Sequence, residues 1–396
     1  MHDSKHFLVV SQVYPYPLHD GARMDIFFRL KALFELGHCV TLIAFYNPVQ
    51  GKPSKSPLNQ YCKEIYALPF LRRKLSKVFQ FRPYSIASKE NWQQLDLIIN
   101  SLKMSSFDAV IAESHHVLTA ASRVRKNLNI PKLYLRSHND EPRFMKSVSQ
   151  SSELFSLKWL FYRLESMKYS YFLPTLMETI SPNAVWHISL DECQEQKKTD
   201  SNRKHCFLPA GIDVHAIRKW KGADKKNVLF AGALFSPNNY HGLLWYLNEV
   251  HPSLVKMVEG YNLLIAGSTF GVKKNKLARL LNVEGVTFYD TPEEMEPIYD
   301  MARVFINPML FGAGVKLKTL DAIIRGLPVV TTSIGNEGTG LSSGKEVFVA
   351  DTPDGFIKSL TLLLNDEEKC EELSRSAADF VNQNYDQKRS LESLIY

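Results

Sequence analysis

The sequence predicts an α/β protein with two domains, each a doubly wound parallel sheet covered by helices. The chain has 396 residues, which is enough for two or three domains of ordinary size. Short apolar runs alternate with helical patterns in two successive series, separated by a charged and aperiodic segment over residues 218–226. We therefore expect an N-terminal domain over residues 1–205 and a C-terminal domain over residues 206–375. A terminal helix within residues 376–396 is expected to return to the first domain.

The first series opens with a strand, a helix and a second strand. Residues 7–11 are apolar and β-prone, and the prolines at positions 15 and 17 prevent the strand from continuing. Helical periodicity begins at Gly21, and the apolar run 39–44 follows it. Such units form parallel sheets with right-handed crossovers. Further elements expected in this half are strands at 109–112, 132–135, 179–181 and 206–209 and a helix over 155–171.

The second series repeats the alternation, and two of its strands end in glycine. The runs 228–232 and 263–267 end at Gly232 and Gly267. The other expected elements are strands at 286–289, 304–308 and 329–332 and a helix over 317–325. Ligands of open parallel sheets bind outside the carboxyl ends of the strands. Gly232, Gly267 and the loop over residues 308–314 are therefore candidate ligand contacts.

Composition excludes several classes of protein. The hydrophobic fraction of 45% and the charged fraction of 22% are those of an ordinary globular chain rather than a disordered one. No apolar run reaches the ~18 residues of a membrane span, and the first residues do not resemble a signal peptide, so we expect a cytoplasmic protein. The five cysteines are scattered without a CxxC pair, which predicts neither a disulfide framework nor a cysteine zinc site.

The positive charge is concentrated in the first half of the chain. Residues 1–200 contain 26 Lys and Arg against 18 Asp and Glu, whereas the whole chain has a net charge of +7. An excess of this kind favours an anionic partner, which includes nucleic acid, a phosphorylated substrate or a membrane surface. An ordinary soluble surface explains the charge equally well.

The loop and helix over residues 307–322 combine glycines with lysines. Gly312 and Gly314 allow the backbone to approach a ligand, and free amides at a helix start favour an anion. Lys316 and Lys318 follow in the first turn, where they can meet phosphate. Asp321 lies about one turn further on, where its carboxylate can accept sugar hydroxyls. The alternative is a plain helix start with solvated lysines.

This segment continues through residues 323–330 and resembles the donor-site signature of GT-B glycosyltransferases of the family-4 type, G-x-G-x-R/K-x-K-x-x-E-A-x-x-x-G-x-P-V-V. Other pieces match in order along almost the whole chain. Residues 37–41 resemble the opening G-H-x-V-T, residues 208–213 resemble P-N-G-V-D at a domain junction, and residues 334–338 read I-G-x-E-G.

The resemblance implies two Rossmann-like domains facing a central cleft. It implies transfer of a sugar from a nucleotide-sugar, with retention at the anomeric carbon and without a metal or other cofactor. The C-terminal domain would hold the donor and the N-terminal domain the acceptor. Asp321 would bind the ribose, and Lys316 and Lys318 would neutralise the diphosphate leaving group. The implied donor-binding residues are Gly21, Arg23, Gly232, Gly267, Gly312, Gly314, Lys316, Lys318 and Asp321.

The sequence departs from the family pattern in three ways. The first glutamate of the family's pair is Ala313 here, and the second is the shorter Asp321. The usual Arg and Lys after the first glycine-ended strand are replaced by Ala233 and by Asn238 or Asn239. These departures leave the donor sugar and its base open.

Four candidate catalytic residues follow strands of the first half. Glu113, His115 and His116 come after the strand at 109–112, and His138 comes after the strand at 132–135. The family often places a functional histidine after these strands. The alternatives are ordinary polar residues at strand ends and metal ligands, although no compact ligand spacing supports a metal.

Two segments of the first half mix cations with apolar residues at helical spacing. They are residues 71–82 and 158–163. Either can lie on an anionic membrane, or each can be a solvated helix face. We expect a glycosyltransferase peripheral on the inner face of the cell membrane, with a glycan or lipid-linked glycan acceptor of surface polysaccharide synthesis. No nucleic-acid-binding motif is present.

Two other functions remain compatible with the sequence. A nucleotide-sugar 2-epimerase shares the two-domain architecture, and a non-catalytic partner subunit would account for the altered signature. A nicotinamide dehydrogenase is disfavoured because no GxGxxG follows the first strand.

Overall fold

A computed structural model describes residues 3–18, 21–53, 56–71, 80–138, 140–150, 156–222, 225–272 and 274–395. The chain divides into two compact units. The first unit comprises Met1–Ile212 together with Tyr385–Tyr396, and the second comprises Asp213–Asn384. The change of unit therefore falls in the segment that resembles the P-N-G-V-D junction.

The first unit contains a sheet of seven parallel strands in the order β3-β2-β1-β4-β5-β6-β7. The strands are β1 (His6–Ser11), β2 (Cys39–Tyr46), β3 (Glu64–Pro69), β4 (Ala109–Glu113), β5 (Lys132–Ser137), β6 (Ala184–His187) and β7 (His205–Phe207). The central strands β1 and β4 are apolar over residues 7–10 and 109–112 and buried on both faces, as parallel strands between two helix layers must be.

Helices cover both faces of this sheet. They are α1 (Gly21–Glu35), α2 (Tyr84–Ala87), α3 (Trp92–Ser101), α4 (Leu118–Asn127), α5 (Glu141–Gln150), α6 (Leu157–Ile180) and α7 (Leu190–Thr199). One layer of the core contains Ile26 and Leu30 of α1, and the other contains Ala121 and Val124 of α4.

The second unit contains a sheet of six parallel strands in the order β10-β9-β8-β11-β12-β13. The strands are β8 (Lys226–Ala231), β9 (Tyr261–Gly267), β10 (Val286–Asp290), β11 (Val304–Asn307), β12 (Val329–Thr331) and β13 (Phe348–Val349). Its helices are α8 (Pro237–Glu249), α9 (His251–Met257), α10 (Lys274–Leu281), α11 (Glu296–Asp300), α12 (Leu317–Ile324), α13 (Ser333–Asn336), α14 (Pro353–Asn365) and α15 (Glu367–Asn384). Two parallel sheets with helices confirm the predicted α/β class.

The last helix, α16 (Gln387–Ile395), belongs to the first unit. Leu391 and Ile395 are buried in the same core layer as Ile26 and Leu30 of α1. Each such apolar side chain contributes about 1.5–3 kcal/mol when it is removed from water. The terminal helix is thus an integral part of the first core.

One expected strand is wrong. Residues 179–181 end the long helix α6, which runs through Pro174 and stops where Ser181 adopts a positive φ of 49°. The local β-propensity of Thr179 and Ile180 is overridden because Leu176 is buried and Ile180 packs against the main core. The next strand begins only at Ala184. Each of the five cysteines is free of a disulfide.

Candidate functional site

In the second unit, the ends of β8 and β9 approach each other so closely that position 267 needs glycine. A Cβ on Gly267 would lie 2.0 Å from the carbonyl oxygen of Gly232, and a Cβ on Gly232 would lie 2.8 Å from Nδ2 of Asn239. A larger residue at position 267 would push these strand ends apart, and one at position 232 would displace the Asn239 side chain. The two glycines singled out in the sequence therefore lie side by side at the carboxyl edge of the sheet.

The loop between β11 and α12 contains the other two glycines. Gly312 has φ 144° and Gly314 has φ 81°, values that favour glycine. Lys316 is buried at the start of α12, where its ammonium donates to the Gly314 carbonyl at 2.6 Å and pairs with Glu337 at 3.2 Å. Lys316 therefore stabilises its own loop and places a positive charge next to it.

Lys318 lies two residues further along α12, and its ammonium lies close to Gly232 at the end of β8. It donates to the amide oxygen of Asn239 and lies 5.4 Å from the ring centre of Phe230. Within the described part of the chain, no carboxylate pairs with it. Burial, and then the like charge of Lys316, lowers the pKa of Lys318 to about 7.

Asp321, on the same helix, contacts other residues than the two lysines do. Its Oδ2 accepts from the Tyr299 hydroxyl at 3.0 Å and from Nε of Arg325 at 3.3 Å. Arg325 also pairs with Glu296, with 2.6 Å between Nη1 and Oε1. The structure does not bring Asp321 into the contacts of Lys316 and Lys318, and its role at the ribose stays a prediction.

In the first unit, Glu113 ends β4 and is bound by an arginine that the sequence analysis did not single out. Arg29 of α1 donates Nε to Oε1 at 2.6 Å and Nη2 to Oε2 at 2.7 Å, and it also pairs with Asp25 at 2.5 Å. Burial acts to raise the pKa of Glu113, but the Arg29 charge and the hydrogen bonds from His138 and Arg29 together outweigh it, and the pKa is lowered. Glu113 is thus held as a carboxylate.

Asp25 is the centre of this buried cluster. Its Oδ1 accepts from Nη2 of Arg136 at 3.0 Å and from the amide nitrogen of Gly211 at 2.6 Å. Burial acts to raise the pKa of Asp25, yet Arg136 and Arg29 hold it well below the usual range. The side chains of Asp25, Arg29 and Arg136 are fully buried, so each charge depends on the others for compensation.

His138 joins the cluster at the end of β5. Its Nδ1 lies 3.6 Å from Oδ2 of Asp25, and its Nε2 lies 3.5 Å from Oε2 of Glu113. These three side chains offer ligand atoms within 4.8 Å of one another, an arrangement compatible with a metal. The guanidinium groups of Arg29 and Arg136 already bind both carboxylates, so a cation would have to displace them.

His115 and His116 follow Ser114, which has a positive φ of 132°. His116 contacts Oε1 of Gln12 through Nδ1 at 2.5 Å and Oε2 of Glu141 through Nε2 at 3.3 Å. Burial lowers the pKa of His115 to about 4, so this imidazole is neutral at pH 7 and suited to hydrogen bonding rather than to charge pairing.

The remaining predicted residues lie at the start of α1. Gly21 is its first residue, and Arg23 donates Nε to the Tyr14 carbonyl at 3.3 Å. In the basic segment 71–82, positions 72–79 lie outside the described residues. The segment 158–163 forms the first turns of α6. Among the described helices, none has the length and apolar character needed to cross a membrane.

Sequence reasoning missed Asp25, Arg29, Arg136 and Glu141. The only local signal is the four-residue spacing of Asp25 and Arg29, which is typical of a solvent-exposed helical pair. Their burial becomes visible only when the strand partners are known.

Comparison with known proteins supplies the family. Residues 225–366 match the family described as Glycosyl transferases group 1. The chain is 33% identical over 399 residues to an uncharacterized 44.6 kDa protein in the cps region of Klebsiella pneumoniae, covering 98% of both chains. It is 25% identical over 186 residues to spore coat protein SA of Bacillus subtilis, covering 43% of this chain and 48% of that one.

Solved structures share the fold at low identity. Anabaena HepE, in complex with UDP and glucose, matches with a TM-score of 0.66 and 12% identity over 99% of this chain and 98% of that chain. Sucrose-phosphate synthase from Thermosynechococcus elongatus matches with a TM-score of 0.69 and 13% identity, again over 99% and 98%. The chain therefore contains a domain of the group 1 glycosyltransferases over residues 225–366 and has the GT-B fold.

Proposed function

We propose that this glycosyltransferase transfers a sugar from a UDP-sugar to a glycan or lipid-linked glycan during surface polysaccharide synthesis. The second unit holds the donor and the first unit holds the acceptor. Transfer proceeds with retention and without a metal ion. HepE, which is similar in fold, is bound to UDP and glucose, and the relative in the cps region supports the pathway.

The observation that carries the proposal is the environment of Lys318. Its side chain is half-buried, and its ammonium is bonded to a neutral amide and adjacent to Gly232 at the end of β8. A buried charge without a counter-ion is costly. A diphosphate placed against Gly232 would supply that counter-ion, while the glycines leave room for its oxygens.

The chemistry follows from the charge that develops during transfer. Departure of a nucleoside diphosphate leaves negative charge on the phosphate oxygens. Lys318 and Lys316, at the start of α12, are positioned to stabilise this charge as it forms. This arrangement provides the electrostatic stabilisation that a metal supplies in other phosphate-binding sites.

In the first unit, the neutral imidazole of His115 suits hydrogen bonding to sugar hydroxyls. His138 lies 3.6 Å from Asp25 and His116 lies 3.3 Å from Glu141, so a carboxylate is close to each ring. Glu113 is engaged by Arg29 through both oxygens, so we assign it a role in positioning His138 rather than in proton abstraction.

The test is transfer by the purified full chain. We expect UDP release from a UDP-sugar in the presence of a glycan acceptor, unchanged by a chelator, with an α-linked donor giving an α-linked product by NMR. Lys318→Met should abolish release, whereas Lys345→Met, at an exposed lysine, should not.

Other outcomes separate the alternatives. A changed sugar recovered without acceptor would indicate an epimerase. Failure of UDP, GDP, ADP and their sugar conjugates to raise the melting temperature would indicate a non-catalytic partner subunit and overturn the proposal.

A further inference from the structure

The segment that follows β12 packs tightly against the loop between β11 and α12. Asn307 donates Nδ2 to the Gly335 carbonyl at 3.0 Å, which ties residues 332–338 to the end of β11. At Gly338, which has φ 74°, a Cβ would lie 3.0 Å from Cγ2 of Val315. Because the backbone of this segment is fixed against the loop, its side chains have defined positions relative to the loop glycines.

Glu337 brings a carboxylate from this segment to the loop. Its Oε2 lies 3.2 Å from Nζ of Lys316, and a Cβ on Gly312 would lie 3.9 Å from the same Nζ. The side chain of Glu337 is 24% exposed, whereas that of Lys316 is 4% exposed. Glu337 is therefore the accessible member of the pair, within reach of a ligand that covers Gly312.

The loop itself offers no carboxylate. Residues 308–316 contain neither Asp nor Glu, and Ala313 stands where the family has the first glutamate of its pair. Glu337 thus places beside the loop a functional group that the loop sequence lacks. Its partner Lys316 also donates to the Gly314 carbonyl at 2.6 Å, so the ion pair is itself held in position.

The order of the charged side chains along α12 indicates which part of a donor meets Glu337. Asp321 lies farthest into the helix, Lys318 lies about one turn closer to its start, and Lys316 precedes the first turn. A nucleotide-sugar runs from ribose through diphosphate to sugar. The inference rests on the proposed function, in which the diphosphate lies at Lys318. With the ribose at Asp321, as the sequence predicts, the sugar extends towards Lys316 and Glu337.

We propose that the Glu337 carboxylate binds hydroxyl groups of the donor's sugar and makes the site select a neutral sugar over a uronic acid. A carboxylate accepts charge-assisted hydrogen bonds from hydroxyls, and these are stronger than hydrogen bonds between neutral groups. A sugar carboxylate in the same place would instead face a like charge, which opposes binding. The other role open to Glu337 is that of a counter-ion for Lys316 alone, and that role would affect UDP and its sugar conjugates equally.

Titration calorimetry of the full chain with UDP, UDP-glucose and UDP-glucuronic acid separates these roles. The two conjugates differ only at C6 of the sugar, and we expect the parent to bind UDP-glucose at least about fivefold more tightly than UDP-glucuronic acid. In Glu337→Gln the ratio of UDP-glucose affinity to UDP affinity should fall about tenfold, since the amide accepts hydrogen bonds without the charge. The preference over UDP-glucuronic acid should disappear. The matched control, Glu259→Gln, alters an exposed residue that precedes β9 and should bind all three ligands as the parent does.

Ala313→Glu in the Glu337→Gln background supplies a second variant. It returns a carboxylate to the residue next to Gly312 and should restore the affinity ratio to within about threefold of the parent's, and equal melting temperatures would show that the variants fold. A Glu337→Gln variant in which the affinities for UDP and UDP-glucose change by the same factor overturns the proposal, because Glu337 then acts only on Lys316. So does a parent that prefers UDP-glucuronic acid, or a double variant that keeps the Glu337→Gln ratio. A parent that binds no UDP overturns the proposed function as well, so the two failures can be told apart.

Discussion

Removing the charge of Lys318 is expected to raise the stability of the folded chain and to weaken donor binding. Its ammonium is bonded to a neutral amide oxygen, and burial followed by the Lys316 charge lowers its pKa to about 7. Lys318→Met removes the charge and keeps most of the side-chain length. We expect the variant to be more stable than the parent and to have lost most of its affinity for UDP.

The pKa gives the size and sign of the stability change. Since the pKa of Lys318 is lower in the folded chain than its ordinary value of 10.5, folding disfavours the charged form. The free-energy cost that the Lys318 charge adds to folding is absent above pH 10.5, grows as the pH falls towards 7 and is constant below pH 7. One pKa unit corresponds to about 1.4 kcal/mol, which sets a ceiling of roughly 5 kcal/mol. Water that reaches the half-buried side chain screens the charge, so we expect a gain of about 2 kcal/mol at pH 6.5.

Urea denaturation of both proteins at pH 6.5 and pH 9.5 measures this change. The stability advantage of Lys318→Met should be present at pH 6.5 and should shrink at pH 9.5. Titration calorimetry with UDP measures the lost affinity. Lys345→Met, at a side chain that is 75% exposed, should stay within about 0.5 kcal/mol of the parent in both respects. A Lys318→Met variant that is less stable, or that binds UDP as tightly as the parent, would refute the reasoning.

Three further outcomes are expected. Asp25→Asn should cost about 3–5 kcal/mol in urea denaturation because it leaves the buried guanidinium group of Arg136 without its carboxylate, whereas Asp96→Asn, in an exposed pair, should cost under about 1 kcal/mol; equal costs would contradict a buried cluster. Gly267→Ala should cost more than about 3 kcal/mol, since its Cβ meets a carbonyl oxygen at 2.0 Å, against about 1 kcal/mol for Gly260→Ala, which meets nothing within 4 Å. Burial and, to a smaller extent, a neighbouring imidazole lower the pKa of His187 to about 3. The free energy of unfolding should therefore fall as the pH drops from 6.5 towards 3, by roughly 2–3 kcal/mol at pH 4.5. His187→Gln should remove this loss.

The fold class was accessible from sequence because its signals are local. Each apolar run that ends in glycine marks a strand, and Gly232 and Gly267 lie together because neighbouring parallel strands end at the same edge. The expected strand over residues 179–181 failed for the converse reason. Its β-propensity is local, but the burial of Leu176 that continues the helix comes from distant residues.

The first-unit site was only partly accessible for a related reason. Glu113 and His138 could be found because they follow strands. Arg29 could not, because its partner Glu113 lies 84 residues away and nothing on α1 distinguishes a buried arginine from a solvated one. The role of Asn239 could not be predicted either. In the sequence it stands where the family has a cation, and in the structure its side chain accepts a hydrogen bond from Lys318.

The position of Asp25 has a consequence for how the chain can be divided. Its Oδ1 accepts from the amide of Gly211 at 2.6 Å and from Nε2 of Gln387 at 3.4 Å. These residues flank the points where the chain leaves the first unit, after Ile212, and re-enters it, at Tyr385. In topological terms the second unit is an insertion, and one carboxylate binds the two ends of the first unit that flank it.

Because those ends are already neighbours, a short glycine-serine bridge in place of residues 213–384 can close the first unit into a single continuous polypeptide. Simple truncation at residue 212 would instead remove α16 and strip α1 of its packing partner.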